Sequence, residues 1–194
     1  MNNLTSIIRT ESFTKEKLNG ELQLSPIEVN EDYCKKWNEN LTDFVVLTRN
    51  GELVNNTLYR VGGMNTPKLG EDNYFMLIKH VEAFYPKRIM EMTKGRGNPD
   101  PKHLEGRWCI LDKNGIEKVE FKAFDCPYLV RDSCIYSINS KYYNIETGEF
   151  YCDCSHSVSS NDFLFLENHY DKDKSKCGVM KINKRDGTWE LFPD

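Results

Sequence analysis

The stretch RWCILDKNGIEKVEF, residues 107–121, decides the fold. Its two halves are rich in aromatic and β-branched residues and are separated by Asn114-Gly115. Asn-Gly between two such runs is the strongest short-range signal for a β-hairpin, because both residues tolerate positive φ. We therefore predict two antiparallel strands joined by a turn at Gly115.

Three further stretches have the same form: DFVVLTRNGELV (43–54), KYYNIETGEFYC (141–152) and GVMKINKRDGTWELF (178–192). The four turn glycines, Gly51, Gly115, Gly148 and Gly187, are 64, 33 and 39 residues apart. A spacing of about 35 residues is the size of one meandering β-unit, and the first interval is roughly two of them. Thr147-Gly148 differs from the Asn-Gly and Asp-Gly dipeptides of the other turns, so we expect a loop of about three to five residues there.

An aspartate precedes the next strand-like run after each of the first three hairpins. These residues are Asp72, Asp132 and Asp162. The recurring pattern predicts a mainly β protein of three to four antiparallel β-meander units, propeller-like or in an open stacked sheet, with one or two short helices. A plain antiparallel protein with ordinary hairpins is the alternative.

Two segments are predicted to be helical. Apolar residues recur at near-helical spacing after Ser25-Pro26, which predicts a short amphipathic helix over residues 26–41. A second short helix is the expectation for residues 81–94. We thus divide the chain into an N-terminal segment, 1–42, and a β-repeat domain, 43–194, with an inserted loop or helix at 86–106.

The composition supports a β-rich fold. The chain has 194 residues with 18 asparagines and only two alanines. Alanine is the strongest helix former, whereas asparagine favours turns. An all-helical bundle is therefore excluded.

Charge and hydropathy limit the classes of partner. Lysine and arginine number 26 against 30 acidic residues, a net charge of −4. A nucleic-acid binder normally has a basic excess, and so does a protein that attaches to anionic membranes. The chain has no apolar run of membrane-spanning length and no visible secretory signal, and its seven cysteines are an odd number. We therefore expect reduced thiols, a cytoplasmic or virion location, and neither membrane nor nucleic acid as partner.

One cluster has the residue types of a metal site. Cys152, Cys154 and His156 lie in alternation, and Cys177, or alternatively Cys126 or Cys134, could be a fourth ligand. In an extended strand, Cys152 and His156 would be roughly 13 Å apart, which is too far for one zinc ion. Small side chains on one face of a strand are the simpler interpretation, so we expect no metal and no cofactor.

No pattern of a catalytic site stands out. Most cysteines lie in apolar strand-like runs, where they behave as small buried hydrophobes. The sequence has no G-x-S-x-G, P-loop or H-E-x-x-H motif. We therefore expect no enzyme and no catalytic residue.

Two long loops are the candidate contact surfaces, since long loops in compact domains are uncommon unless they are functional. They are residues 62–70 and 86–106, and an adaptable interface there would use methionine and basic side chains. The candidates are Met64, Lys87, Arg88, Met90, Met92 and Arg96. Packing of the methionines under a short helix is the alternative.

The segment from Arg107 to Gly115 resembles the WG-type β-repeat, whose unit reads Trp-Gly-x-Ile-Asp-x-x-Gly. Trp108, Asp112 and Gly115 correspond to that unit, while Cys109 replaces its glycine. The resemblance implies meandering hairpins that serve as binding scaffolds.

The asparagine- and lysine-rich, alanine-poor style with D-x-x-G hairpins is similar to accessory virion proteins of tailed phages, including the crAss-like group. This implies a non-enzymatic subunit of a homo- or hetero-oligomeric assembly, such as a virion ring, connector or tail component assembled in the host cytoplasm. The alternative is a β-domain that binds a small ligand or metal, or an enzyme using cysteine and histidine.

Overall fold

The computed structural model describes residues 21–27, 44–61, 73–84, 102–122, 125–154, 156–168 and 177–193. All regular elements in these ranges are β-strands, so the mainly β prediction is confirmed there. The strands are β1 (Leu22–Pro26), β2 (Phe44–Arg49), β3 (Glu52–Leu53), β4 (Tyr59–Arg60), β5 (Tyr74–Phe84), β6 (Lys102–Asp112), β7 (Glu117–Glu120), β8 (Tyr128–Leu129), β9 (Ile135–Ile138), β10 (Lys141–Asn144), β11 (Phe150–Asp153), β12 (His156–Ser159), β13 (Phe163–Asn168), β14 (Gly178–Asn183) and β15 (Trp189–Pro193).

The strands form three antiparallel sheets. One sheet has seven strands in the order β1-β2-β4-β5-β6-β7, with β3 also paired to β2. The other two are four-stranded meanders, β8–β11 and β12–β15, in which each strand pairs with its neighbour in sequence. We call the groups β1–β3, β4–β7, β8–β11 and β12–β15 the first to fourth meanders. Pairing of β2 with β4 joins the first and second into one sheet.

All four predicted turn glycines adopt positive φ, between 69° and 79°. Such values suit glycine because it has no Cβ to clash with the following carbonyl. The turns differ in length, however. Arg49 pairs directly with Glu52 across two residues, whereas the backbone N–H of Asn183 donates to the carbonyl of Thr188 across four.

The third and fourth meanders share one turn geometry. The N–H of Gly148 donates to the carbonyl of Asn144 at 3.0 Å, and the N–H of Gly187 donates to that of Asn183 at 2.9 Å. Each asparagine side chain also accepts an N–H bond from the residue two positions later, as Asx-turns do. The longer loop expected at Thr147-Gly148 is therefore present.

A second backbone contact recurs in three meanders. In these meanders one strand ends in an aspartate or asparagine: β6 at Asp112, β10 at Asn144 and β14 at Asn183. The N–H of the next residue donates to the backbone carbonyl of the residue just before the neighbouring strand. The pairs are Lys113 with Asn73, Ile145 with Cys134, and Lys184 with Asp162, at 2.9, 2.8 and 2.9 Å. These contacts define equivalent positions in the second, third and fourth meanders, with lysine at 113 and 184 and isoleucine at 145.

Apolar clusters lie between successive meanders. Val45 and Leu47 of the first meander pack with Leu77 and Leu111 of the second. Residues of the second, including Met76, Ile110 and Phe121, pack with Ile145, Tyr136 and Ile138 of the third. Residues of the third, including Ile135, Tyr142 and Tyr151, pack with Leu164, Leu166, Met180 and Ile182 of the fourth. Successive meanders therefore bury their facing sides against each other.

The helix predictions are wrong where they fall on described residues. Pro26, expected in the first helical turn, is the last residue of β1 and pairs with Val45. Residues 81–84 extend β5, and residues 102–106 of the expected insertion belong to β6. Cross-strand pairing of β5 with β6 over eleven residue pairs satisfies the backbone there and overrides the local helical pattern. Residues 28–43 and 85–101 lie outside the described ranges.

Candidate functional site

The fourth meander has one buried and one open face. Side chains alternate along its central strands: Leu164, Leu166, Met180 and Ile182 are at most 6% exposed and face the third meander. The residues between them point the other way, and we call their surface the terminal face. Its apolar members are Val158, Phe163, Phe165, Val179 and Phe192.

The strand register fixes the arrangement of the terminal face. Val158 lies opposite Phe165, and Phe165 lies opposite Lys181, which in turn is opposite Glu190. In the next row of this face, Glu167 pairs with both His156 and Val179, and Phe192 lies beyond Val179. Apolar side chains therefore alternate with charged ones of both signs across the face.

Aromatic contacts order part of this surface. The rings of Phe163 and Phe165 lie 6.4 Å apart, and the ammonium of Lys181 is 4.2 Å from the centroid of the Phe163 ring. Such cation–π contacts at exposed sites contribute about 0.5–1 kcal/mol. The two outermost apolar side chains remain open, because Val158 is 54% exposed and Phe192 is 46% exposed.

Equivalent faces of the earlier meanders are covered. Ile135 pairs with Asn144 as Phe163 pairs with Asn183, so Ile135 and Phe163 occupy the same position in their sheets. Ile135 is fully buried under the fourth meander, whereas Phe163 is only partly buried. The terminal face thus has apolar side chains at the same register positions as an inter-sheet surface, but no sheet of the described residues packs on it.

The predicted cysteine–histidine cluster does not converge. Cys152 is buried in the apolar cluster between the third and fourth meanders, and the Cys154 thiol donates to the backbone carbonyl of His156 at 2.6 Å. The His156 imidazole points instead to Glu167, with Nδ1 3.7 Å from Oε2. Cys177 is half-buried just before β14. Across the described ranges, His, Cys, Asp and Glu side chains form no group of three that could hold a metal ion.

Three of the described thiols are poor nucleophiles because they are buried. Burial raises the pKa of Cys109 to about 12, and it also raises the pKa values of Cys134 and Cys154. A raised pKa keeps the thiol protonated at neutral pH, and the thiolate is the reactive form. Burial of Cys109, Cys134 and Cys152 agrees with the prediction that they are small core residues, whereas Cys177, predicted with them, is only half-buried.

Met64 and the candidates between Lys87 and Arg96 lie outside the described residues. Sequence reasoning missed the terminal face, although the alternation of Phe163, Phe165, Val179 and Lys181 was visible. Without the sheet order, alternating apolar residues on both faces of a strand only indicate burial on both sides.

No family model matches the chain, and no curated protein matches its sequence. No helix among the described residues has the length and hydropathy needed to cross a membrane.

Proposed function

We propose that this protein is a non-enzymatic structural subunit that assembles with a second copy of itself through the terminal face. The single observation that carries the proposal is the open state of this face, since the equivalent position in the preceding meander is fully covered. Within each chain, the meanders would stack in series as in a propeller-like or open array.

Continuity with the existing inter-sheet contacts favours another β-meander as the occupant. The chain already packs separate sheets through apolar faces twice, once between the second and third meanders and once between the third and fourth. A second copy brings a matching face of its own. Packing two such faces together removes Val158 and Phe192 from water, which is favourable by about 25 cal/mol for each Å² of apolar surface buried.

Charge favours a symmetric pair. The terminal face carries Lys181 together with Glu167 and Glu190. A two-fold interface places the same surface on both sides, so it must be self-complementary. With both signs present, Lys181 of each copy can face acidic side chains of the other.

Sedimentation equilibrium tests the interface. Wild-type protein should associate with increasing concentration, and Val158→Asp and Phe192→Asp should each abolish association, because a buried unpaired carboxylate is costly. Ile116→Asp is the matched control: Ile116 is 58% exposed at the β6–β7 turn, far in sequence from the terminal face, and the change should leave association intact. A monomeric wild type, or a dimer unaffected by both face variants, contradicts the proposal.

The narrower proposal is that the assembly is a virion ring, connector or tail component. It rests on the resemblance in composition to accessory virion proteins. The mass of the native particle that contains the chain is the decisive measurement, and recovery of the chain only as a small free oligomer contradicts a virion role.

A further inference from the structure

A cleft of about 680 Å³ opens between the third and fourth meanders. It lies beside the turn between β12 and β13 and is separate from the terminal face. Its wall is formed by hydroxyl-bearing and basic side chains together with apolar ones. The polar residues of the wall include Tyr128, Arg131, Tyr142, Ser157, Ser160 and Lys184.

Lys184 is the unusual residue of this cleft. It is only 4% exposed, and its Nζ donates to the backbone carbonyl of Ser160 at 3.2 Å. An ammonium group has three donors, and in the part of the chain that the structure describes Lys184 forms no ion pair with a carboxylate. Lysine is almost never this buried unless it is paired, because burying a charge is costly.

Comparison between meanders shows that the fold does not require a lysine at this position. Ile145 follows Asn144 as Lys184 follows Asn183, and both make the same backbone contact to the residue before the paired strand. Ile145 is also 4% exposed. An apolar side chain therefore satisfies the packing here, and the charge of Lys184 calls for another explanation.

The surrounding groups suit an anion that carries hydroxyl groups. The hydroxyl groups of Tyr142 and Ser157 lie 3.1 Å apart, and the Arg131 guanidinium stands at the rim. One carboxylate, Asp132, also lines the cleft, with Oδ2 3.6 Å from Nε of Arg131. Two cationic groups thus face one anionic group, and both members of the Arg131–Asp132 pair are exposed, so that their mutual attraction is weak.

We infer that this cleft binds a small sugar that carries an anionic group, with the anion at Lys184 and the sugar ring near Tyr128. Clefts of this size with a few convergent polar groups are typical small-ligand sites. Tyr128 is 56% exposed and offers a flat apolar ring. The anion can be a carboxylate or a phosphate, since both accept charge-assisted hydrogen bonds from an ammonium. The inference is independent of the interface proposed above.

Calorimetric titration of the full chain tests the inference with three probes: glucose 6-phosphate, glucuronate and glucose. The two anionic sugars separate phosphate from carboxylate recognition, and we expect at least one of them to bind. Glucose should bind about tenfold or more weakly, because it lacks the charge that Lys184 pairs with.

The variants assign the binding to the cleft. Lys184→Ile places the residue of the equivalent position 145 in the cleft, so it should fold, and we expect it to weaken binding of the anionic sugar about tenfold or more. Arg131→Gln should weaken binding by a smaller factor, since Arg131 is exposed. Lys113→Ile, at the equivalent position of the second meander, should leave binding unchanged.

Three results would overturn the inference. They are no binding of either anionic sugar at millimolar concentration, equal binding of glucose, and full binding by a folded Lys184→Ile protein. Circular dichroism of each variant establishes that it is folded before the titration.

Discussion

The turn glycines differ in what surrounds them, although all four share the same backbone conformation. A Cβ at Gly187 would overlap the side-chain amide of Asn144 and approach the Tyr151 hydroxyl to 2.6 Å, whereas a Cβ at Gly148 would meet nothing within 4 Å. The carbonyl of Gly187 also accepts a hydrogen bond from Tyr151 at 2.9 Å. The last turn is therefore packed onto the preceding meander, while the turn before it faces open space.

This contrast predicts unequal costs for the same substitution. Gly148→Ala should lower the free energy of unfolding by about 1–2 kcal/mol, the cost of a left-handed alanine. Gly187→Ala should lower it by about 1–3 kcal/mol more, because the new methyl group overpacks the contact with Asn144 and Tyr151. Urea unfolding of both variants measures the difference, and equal losses would mean that the turn does not pack on the third meander.

A partly buried histidine predicts acid sensitivity. Burial, with a smaller contribution from Arg60, lowers the pKa of His80 to about 4, and its ring packs edge-on to Phe44 with centroids 5.0 Å apart. The unfolded chain takes up a proton near pH 6.5, whereas the folded chain resists protonation until about pH 4. The contribution of neutral His80 to the free energy of unfolding should therefore be fully present above pH 6.5 and be lost as the pH falls towards 4.

The variant His80→Leu separates this histidine from other titrating groups. Unfolding free energies of wild type and variant, measured by urea titration between pH 7 and pH 4, should differ in slope, with the variant the flatter. Carboxylates with lowered pKa values, such as Glu120 and Glu146, act in both proteins and at lower pH. Parallel curves for the two proteins would contradict the assignment.

The positions of the turns were predictable residue by residue, and the longer loop was predictable at Thr147-Gly148 but not at Asp186-Gly187. Glycine at positive φ follows from the backbone, so Asn-Gly and Asp-Gly marked the turns correctly. The length of each loop depends on which residue before the glycine hydrogen-bonds across the turn. At Asp186-Gly187 the Asn183 side chain caps the turn through the N–H of Arg185, which makes the loop four residues long.

Alternation of side chains gives each central strand two different neighbours. In β6, Cys109 and Leu111 contact the first meander, while Ile110 contacts the third. In β14, Met180 and Ile182 contact the third meander, but Val179 and Lys181 have no described sheet beyond them. A strand with two apolar faces therefore needs a sheet on each side, and the fourth meander has only one.

Truncation on the two faces of the fourth meander should have different effects. Leu166 is fully buried on the inner face, so Leu166→Ala should lower the free energy of unfolding by about 2–5 kcal/mol. Val158 is half exposed on the outer face, so Val158→Ala should cost less than about 1 kcal/mol when the chain is monomeric. Denaturant titration at low protein concentration measures both values, and a large loss at Val158 would show that its side chain is packed within the monomer.

Strand pairing was harder to predict than the strands themselves. The run after Asp72 follows the first hairpin in sequence, yet it forms β5, which pairs along its whole length with β6 of the next hairpin. The hairpin signals marked many of the strands, but the choice of partner strand depends on long-range packing. The short strands β4, β8 and β12 also carried no clear signal, and β12 is exposed along its whole length.

At the scale of the whole molecule, the apolar clusters between successive meanders form a series that ends on the terminal face. The opposite end is different: Phe44, Val46 and Thr48 of β2 are at most 1% exposed, although they point away from the cluster shared with the second meander. The face of β2 that lies away from this cluster is therefore already covered, unlike the outer positions Val158 and Phe192 of the terminal face.

The sites were less predictable than the fold because they depend on contacts between meanders. Cys152, Cys154 and His156 have the residue types of a metal site, but strand geometry separates their side chains. The cleft at Lys184 is built from residues more than 50 positions apart, and nothing in their local sequence marks it.

Hydroxyl-radical footprinting tests the central proposal most directly, since it reports the solvent exposure of individual side chains. On raising the protein concentration through the association range, labelling of Phe165 and Phe192 should fall several-fold, while labelling of Ile116 and Leu53, which are exposed outside the terminal face, should stay constant. Constant labelling of Phe165 and Phe192 in a protein that associates would place the interface elsewhere and contradict the proposal.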